Sequence, residues 1–282
     1  MKKITVSTFF MILLLSTAFV SCNSGKGMKE NSDEENLESS EEQNIIRFLS
    51  YNIHHCNPPG TKDVINLDAI VNTISAQKPD IVALQEVDVD TKRSGEGNQA
   101  EMIAKKLNMN YFFAKAINYD GGGYGVAILS KFPLLETKVH ELPTKGNEED
   151  RVLATATIEI APDTHILFGN THLNSSKSSE NRMLQMKEIV TISNKAKDMD
   201  IVIAGDFNAT PDSDVMKISD ATFTNTCENC KPTFPATKPT KIIDYIVYKA
   251  NKSNMSVEKV DVINDGYSSD HRPVLADIKF SN

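Results

Sequence analysis

The chain has 282 residues, of which 40% are hydrophobic and 24% charged, with no tryptophan and a net charge of −8. That is enough for one large domain with its own core, and the absence of a basic run excludes a protein built to grip a nucleic-acid backbone tightly. Removing Lys2 and Lys3 takes −8 to −10, and seven acids and two lysines in residues 23–44 account for −5 of that. About −5 stays on the remainder.

Lys2 and Lys3 precede an apolar run from Phe9 to Val20 that closes at Ser21 and Cys22. This is the pattern of an export signal, too short for a membrane span of roughly 20 residues. It resembles a bacterial lipoprotein signal, which implies a signal segment over residues 1–22 that ends at the lipidated cysteine, Cys22. Phe19 is bulkier than that pattern prefers, and the alternative is a plain secretory peptide with Cys22 removed or left free. Residues 23–44 are rich in Ser, Asn and Glu and predict a disordered acidic tether, because they cannot bury enough surface to offset their ordering entropy. Regular patterning begins at Ile45 and defines a single domain over 45–282.

Within it, Ile46–Tyr51 predicts a strand and Asp68–Gln77 a helix stopped by Lys78-Pro79-Asp80. Ile81–Leu84 predicts a buried strand that runs into Gln85-Glu86, and Gln99–Leu107 a second helix. Gly125–Ser130 predicts a strand after a glycine-rich turn, Gly121–Gly125. Val152–Ile160 alternates as a strand with one exposed face, paired through Pro162-Asp163 with Ile166–Phe168. A helix over Asn181–Asn194 and strands over Ile201–Ala204, Ile242–Val247 and Val274–Phe280 follow. Hairpins mixed with crossovers predict an α/β sandwich, with mixed sheets inside and helices outside. Cys227-x-x-Cys230 fits a zinc half-site, a redox pair or a disulfide. In an exported chain with no second cysteine pair, the disulfide is the preferred reading.

Nearly every predicted strand ends in acidic, amide or histidine residues: Asn52, Glu86, Asn170 and His172, Asp206 and Asn208. Asp244 lies inside one of the last two strands, and Asp270-His271 precede the other. If these ends converge, they line one cleft. Glu86, Asp206, Asp244, Asp270, Asn52 and Asn208 are hard oxygen donors suited to magnesium, manganese or calcium. The two histidines, His172 and His271, suit a phosphoryl oxygen or a proton. No Gly-x-Ser-x-Gly occurs and Cys56 has no special spacing, so water is the expected nucleophile. His54 and His55 are expected to be ordinary loop histidines.

Tyr51-Asn52, Gln85-Glu86-Val87-Asp88, Asn170-Thr171-His172-Leu173, Gly205-Asp206-Phe207-Asn208, Ile243-Asp244-Tyr245 and Ser269-Asp270-His271-Arg272-Pro273-Val274 together resemble the endonuclease/exonuclease/phosphatase superfamily. The resemblance implies a four-layered α/β sandwich, two central mixed β-sheets flanked by helices, with the site at the mouth between the sheets. It implies Glu86 as principal metal ligand with Asn52 beside it and Asp270 near the metal. Asp206 would activate water, Asn208 would position it, and His172 and His271 would contact the phosphate. Asp244 would orient His271, and Arg151 and Asn170 are expected as further phosphate contacts.

The stretches Asp90–Ser94 and Gly121–Gly125 are expected to shape the substrate pocket. The missing tryptophan before Gly205-Asp206 speaks against inositol phosphatases. Gly205–Asn208 followed by Pro211-Asp212-Ser213 is similar to deadenylases, whose messenger RNA an exported protein would not meet. The resulting expectation is an exported, membrane-anchored, monomeric hydrolase of small or lipid-derived phosphate esters that uses Mg2+ or Mn2+. It would touch the membrane only through its lipid. A scavenging nuclease with nucleic acid as substrate is the alternative, and a non-catalytic binding lipoprotein is the second alternative.

Overall fold

Apolar side chains on both faces of the central strands oblige each sheet to be covered twice, once by the other sheet and once by helices. The computed structural model describes residues 44–281. The expected signal segment, Cys22 and all but the last residue of the tether lie outside the described residues. The chain runs β1 (Asn44–Asn52), α1 (Leu67–Gln77), β2 (Ile81–Val89), α2 (Gln99–Leu107), β3 (Asn110–Tyr119) and β4 (Gly122–Ser130). It continues through β5 (Leu134–Glu141), β6 (Val152–Ala161), β7 (Thr164–His172), α3 (Glu180–Ser193) and β8 (Asp200–Asp206). The last elements are α4 (Asp214–Asp220), β9 (Thr224–Asn225), β10 (Asp244–Lys249), β11 (Asn254–Val262) and β12 (Val274–Ser281).

One six-stranded sheet has the order β11-β12-β1-β2-β4-β3, the other β5-β6-β7-β8-β10-β9. Each contains one parallel pair, β1 with β2 and β7 with β8, and the chain between the partners passes through α1 or α3. All other pairs are antiparallel. Both sheets are therefore mixed, as expected. Between them lies a core that includes Ile46, Phe48, Ile81, Ile128, Ile158 and Phe168, with the rings of Phe48 and Phe168 stacked at 5.7 Å. Outside the first sheet, Ile70, Ile74 and Ile103 of the helices cover Leu49, Leu84 and Leu129. Outside the second, Met186, Ile189 and Met216 cover Ile201, Ile203 and Tyr245. The four layers follow from these three clusters.

Two local expectations are corrected. Strand β6 has no exposed face over Val152–Ile158, all of it buried. Val152, Ala154, Ala156 and Ile158 face the inter-sheet core, and Thr155 on the other side meets His140 Nε2 at 2.9 Å. Gly122, Gly123 and Gly125 are not a turn but the first half of β4. A Cβ on Gly122 would collide with the Val89 carbonyl, and one on Gly125 with the Ala114 carbonyl. Close backbone approach, not mobility, requires glycine there. Cys227 and Cys230 are joined in a disulfide, and Cys56 is a buried free thiol.

Candidate active site

The parallel pairs place Asn52 beside Gln85 at the end of β1 and His172 beside Asp206 at the ends of β7 and β8. Antiparallel pairing puts Asp244 opposite Asp206. Gly205 lets β8 press against the Thr171 backbone, where any side chain would clash, so its neighbour Asp206 reaches the cleft. In β2 a bulge between Leu84 and Val87 sets Glu86 at φ 57°, out of step with the ladder. Bulges re-aim side chains in this way beside functional sites.

The Asn52 amide nitrogen lies 3.1 Å from Glu86 Oε1 and 3.1 Å from Asp206 Oδ2, so one donor bridges the two carboxylates and the two sheets. Its oxygen accepts the His54 N–H at 3.1 Å, and Ser269 Oγ–H donates to its carbonyl at 2.7 Å. Ser269 thereby ties the loop carrying Asp270 and His271 to β1. His271 Nδ1 sits 3.0 and 3.1 Å from the two oxygens of Asp244, which fixes the tautomer with hydrogen on Nδ1. Its Nε2 is 3.7 Å from Asp206 Oδ2, and His172 Nε2 is 3.4 Å from the same oxygen. Six separated sequence segments thus meet around Asp206.

The electrostatics follow from burial and neighbours. Burial works against a charge on His271, yet Asp244, Asp206 and Asp270 outweigh it and push its pKa up to about 10. Burial, helped by Arg151 and His271, holds His172 well below the ordinary histidine value and therefore neutral. Burial and Asp244 raise Asp206, while His271 and hydrogen bonds from Asn208 and Asn52 pull it back. One charged and one neutral imidazole flanking a buried carboxyl is a proton-transfer arrangement.

Asn208, at φ 48°, turns its N–H onto Asp206 Oδ1 at 2.9 Å and its amide onto the Leu173 carbonyl at 3.0 Å. Arg151 is buried, with Glu149 at 2.6 Å, Tyr124 hydrogen-bonded to it, and its Nε without a partner among the described residues. The side chain of Asp270 is 30% exposed, with its Oδ1 4.0 Å from His54 Nδ1. Asn170 does not join the site. It is fully buried, donates to the Leu84 and Ala127 carbonyls at 2.8 and 2.7 Å, and accepts from Gln85 at 2.8 Å. It cross-links the sheets and leaves no free face for a phosphate.

Residues with no sequence signal also belong here. Arg182 on α3 donates to the Asn174 and Ser176 carbonyls, and its buried Nε has no partner among the described residues. With Asn208, Phe234, Lys241 and His271 it lines a cavity of about 240 Å³, and Phe234 packs on the His271 ring at 4.8 Å. Elsewhere, Arg93 lies 4.4 Å over Tyr119 and 5.5 Å over Tyr124. Asp88 holds its guanidinium at 2.7 and 2.9 Å. Arg93, in the Asp90–Ser94 stretch, lines a small cavity with Tyr119, Tyr124 and Glu149. A larger cavity, about 460 Å³, lies on the far side of Asp244 toward the Cys227–Cys230 loop, away from His172 and Glu86.

Among the described residues, two groups have metal-binding spacing. Asp206, Asp244 and His271 offer atoms within 4.8 Å of one another, but hydrogen bonding explains Asp244 with His271. His54, His55 and Glu86 form the other group. These two are not ordinary loop histidines: with Cys56 they form a left-handed turn at φ 46°, 43° and 61° beside Glu86. Each such residue costs roughly 1–2 kcal/mol. Burial and the charge of Arg93 depress His55 to about 4, so it is neutral at pH 7. Glu86 is a hard oxygen donor that fits a divalent cation, whereas Asn52, expected as a ligand beside it, turns its amide nitrogen toward Glu86 and gives its oxygen to the His54 N–H.

Residues 49–271 match the model of the Endonuclease/Exonuclease/phosphatase family. Among curated proteins, the uncharacterized protein YbhP of Escherichia coli K12 is 25% identical over 252 residues, covering 84% of this chain and 97% of that protein. The crystal structure of an endonuclease/exonuclease/phosphatase from Beutenbergia cavernae superimposes with a TM-score of 0.74 at 22% identity. It covers 84% of this chain and 72% of that one. A mannosyl-6-phosphatase from Bacteroides thetaiotaomicron gives 0.67 at 19% identity, covering 83% and 99%.

Proposed function

Because this chain belongs to the endonuclease/exonuclease/phosphatase family, we propose that it hydrolyses phosphate esters with a divalent cation, Mg2+ or Mn2+, held at Glu86. The family acts on phosphoester bonds. The finer reading, a small or lipid-derived phosphodiester or monoester as substrate, rests on a net acidic chain whose sequence carries no basic run. A neighbour's name as a sugar phosphatase is compatible with it. The single observation that carries the reading is the Asn52 amide joining Glu86 to Asp206, with both histidines on Asp206.

When bound, the cation supplies positive charge that offsets what builds up on the phosphoryl oxygens. Asp206, raised by burial and Asp244, accepts a proton from the attacking water. Asn208 holds the Asp206 carboxylate in place through its N–H. Neutral His172 donates a hydrogen bond toward the phosphate, and charged His271, oriented by Asp244, donates another through Nε2. Arg151 and Arg182, each with a buried Nε that has no partner among the described residues, would serve the remaining phosphoryl oxygens.

Purified protein stripped with a chelator and then given Mg2+ or Mn2+ is expected to turn over bis-(p-nitrophenyl) phosphate or p-nitrophenyl phosphate. Glu86→Gln should lose roughly 10²-fold or more. Equal rates with and without metal, or in the variant, would remove the proposal.

The same reading sets the enzyme outside the cytoplasm, anchored through Cys22. The short apolar run ending at Cys22 supports this, and the Cys227–Cys230 disulfide suits an oxidising compartment. Among the described residues no helix is long and apolar enough to cross a membrane. Cells grown with labelled palmitate should label the wild type and not Cys22→Ser; label in both would reject the anchor.

A further inference from the structure

In ordinary helical or extended backbone, neighbouring side chains point apart, so consecutive histidines rarely serve one site. The left-handed turn at His54, His55 and Cys56 gathers them instead, with the two ring centroids 4.5 Å apart and tilted at 65°. His54, His55 and Glu86 each present a ligand atom within 4.8 Å of the other two. The turn is braced on every side: His54 N–H on Asn52, the Cys56 carbonyl on Asn66 N–H at 2.7 Å, and the His55 carbonyl on Gln99 Nε2 at 2.8 Å.

The ring hydrogen bonds agree with this arrangement. His54 Nδ1–H donates to the Asn57 carbonyl at 2.9 Å, which leaves the lone pair on Nε2. Ring donation to a backbone carbonyl is how metal-bound histidines are oriented. His55 Nδ1 is buried and has no partner among the described residues, a polar atom that the fold alone does not satisfy. Hydrogen bonding within the group accounts for Asp206, Asp244 and His271, whereas among the described residues no hydrogen bond joins His54 or His55 to Glu86.

We infer that His54, His55 and Glu86 form a mixed nitrogen–oxygen site for a first-row transition-metal ion, with Asp270 at its edge, and that the two imidazoles select manganese, cobalt or zinc over magnesium. Two histidines and one glutamate leave a coordination position open for water or substrate, the pattern of hydrolytic metal sites. Imidazole adds affinity for borderline ions, whereas magnesium gains little from nitrogen. The inference rests on the proposed metal role of Glu86 and adds its ligand shell.

Chelator-stripped protein titrated with Co2+, Zn2+, Mn2+ and Mg2+, followed by calorimetry and by the visible absorption of Co2+, tests it without reference to turnover. His54→Asn and His55→Asn keep a residue that tolerates the left-handed backbone. Each is expected to weaken Co2+ and Zn2+ at least about tenfold and alter the Co2+ spectrum, while Mg2+ affinity changes less than about threefold. Nitrogen couplings from imidazole in the pulsed EPR spectrum of Mn2+-loaded wild type are expected too, and need no variant. Unchanged Co2+ binding in both histidine variants together with no nitrogen coupling would overturn the inference. In that case release of metal by Glu86→Gln would leave the metal role of Glu86 standing, and retention by Glu86→Gln would take that down as well.

Discussion

Asp244 never faces the cleft as a ligand; its two oxygens lie on His271 Nδ1 and hold the ring. The residue therefore acts through His271, both by orientation and by charge. Asp244→Asn removes the first of the charges that outweigh burial at His271, so the histidine loses its proton at lower pH. We expect a loss of roughly 10²–10⁴-fold in kcat. The alkaline limb of the pH–rate profile should also move down, from near 10 toward the ordinary histidine range. An unshifted limb would show that Asp244 only packs. The sign for stability is the same: because the folded pKa is raised, the stabilisation is full below pH 6.5 and is lost as pH rises through about 10. At this scale most of the site was legible, since Glu86, Asp206, Asp244 and His271 follow or begin apolar runs. The turn at His54 and His55 was not legible, because positive φ at three successive residues leaves no trace in composition. Arg182 was hidden in an amphipathic helix, where an exposed arginine is the ordinary expectation.

At the level of elements, the strands the sequence reading found are the central ones, and the ones it missed are β3, β5 and β11, with the two-residue β9 and the short helix α4. All four of these strands lie at sheet edges, and charges such as Glu136, Lys138, Glu258 and Lys259 are mixed into the apolar pattern of β5 and β11. Edge strands carry such charges to discourage pairing with other chains, and that erases the period of two. Asn170 shows the opposite error. Its place in an Asn-Thr-His motif suggested a phosphate contact, whereas three buried hydrogen bonds make it a rivet between β7, β2 and β4. Asn170→Ala strands two carbonyls and one amide and should cost about 3 kcal/mol in urea unfolding. KM should stay within about twofold of wild type wherever the variant is folded. A tenfold rise in KM with unchanged stability would restore the substrate role.

For the molecule as a whole, two mixed sheets face each other so that strand ends from both supply one centre. The first sheet brings Asn52 and Glu86, the second His172, Asp206 and Asp244, and the segment before β12 closes the cleft with Asp270 and His271. The architecture was readable in advance because hairpins and crossovers alternate along the chain. The convergence was only a conditional, since pattern alone does not say which end of a strand meets which. The Asn52 bridge turns the conditional into geometry, and with it the claim that Glu86 and Asp206 act as one unit. The most direct measurement is kcat/KM for Glu86→Gln, Asp206→Asn and the double variant. A single cooperative centre predicts that the double variant is no more than about threefold slower than the worse single variant. Losses that multiply, each carboxylate acting as though the other were absent, would contradict it.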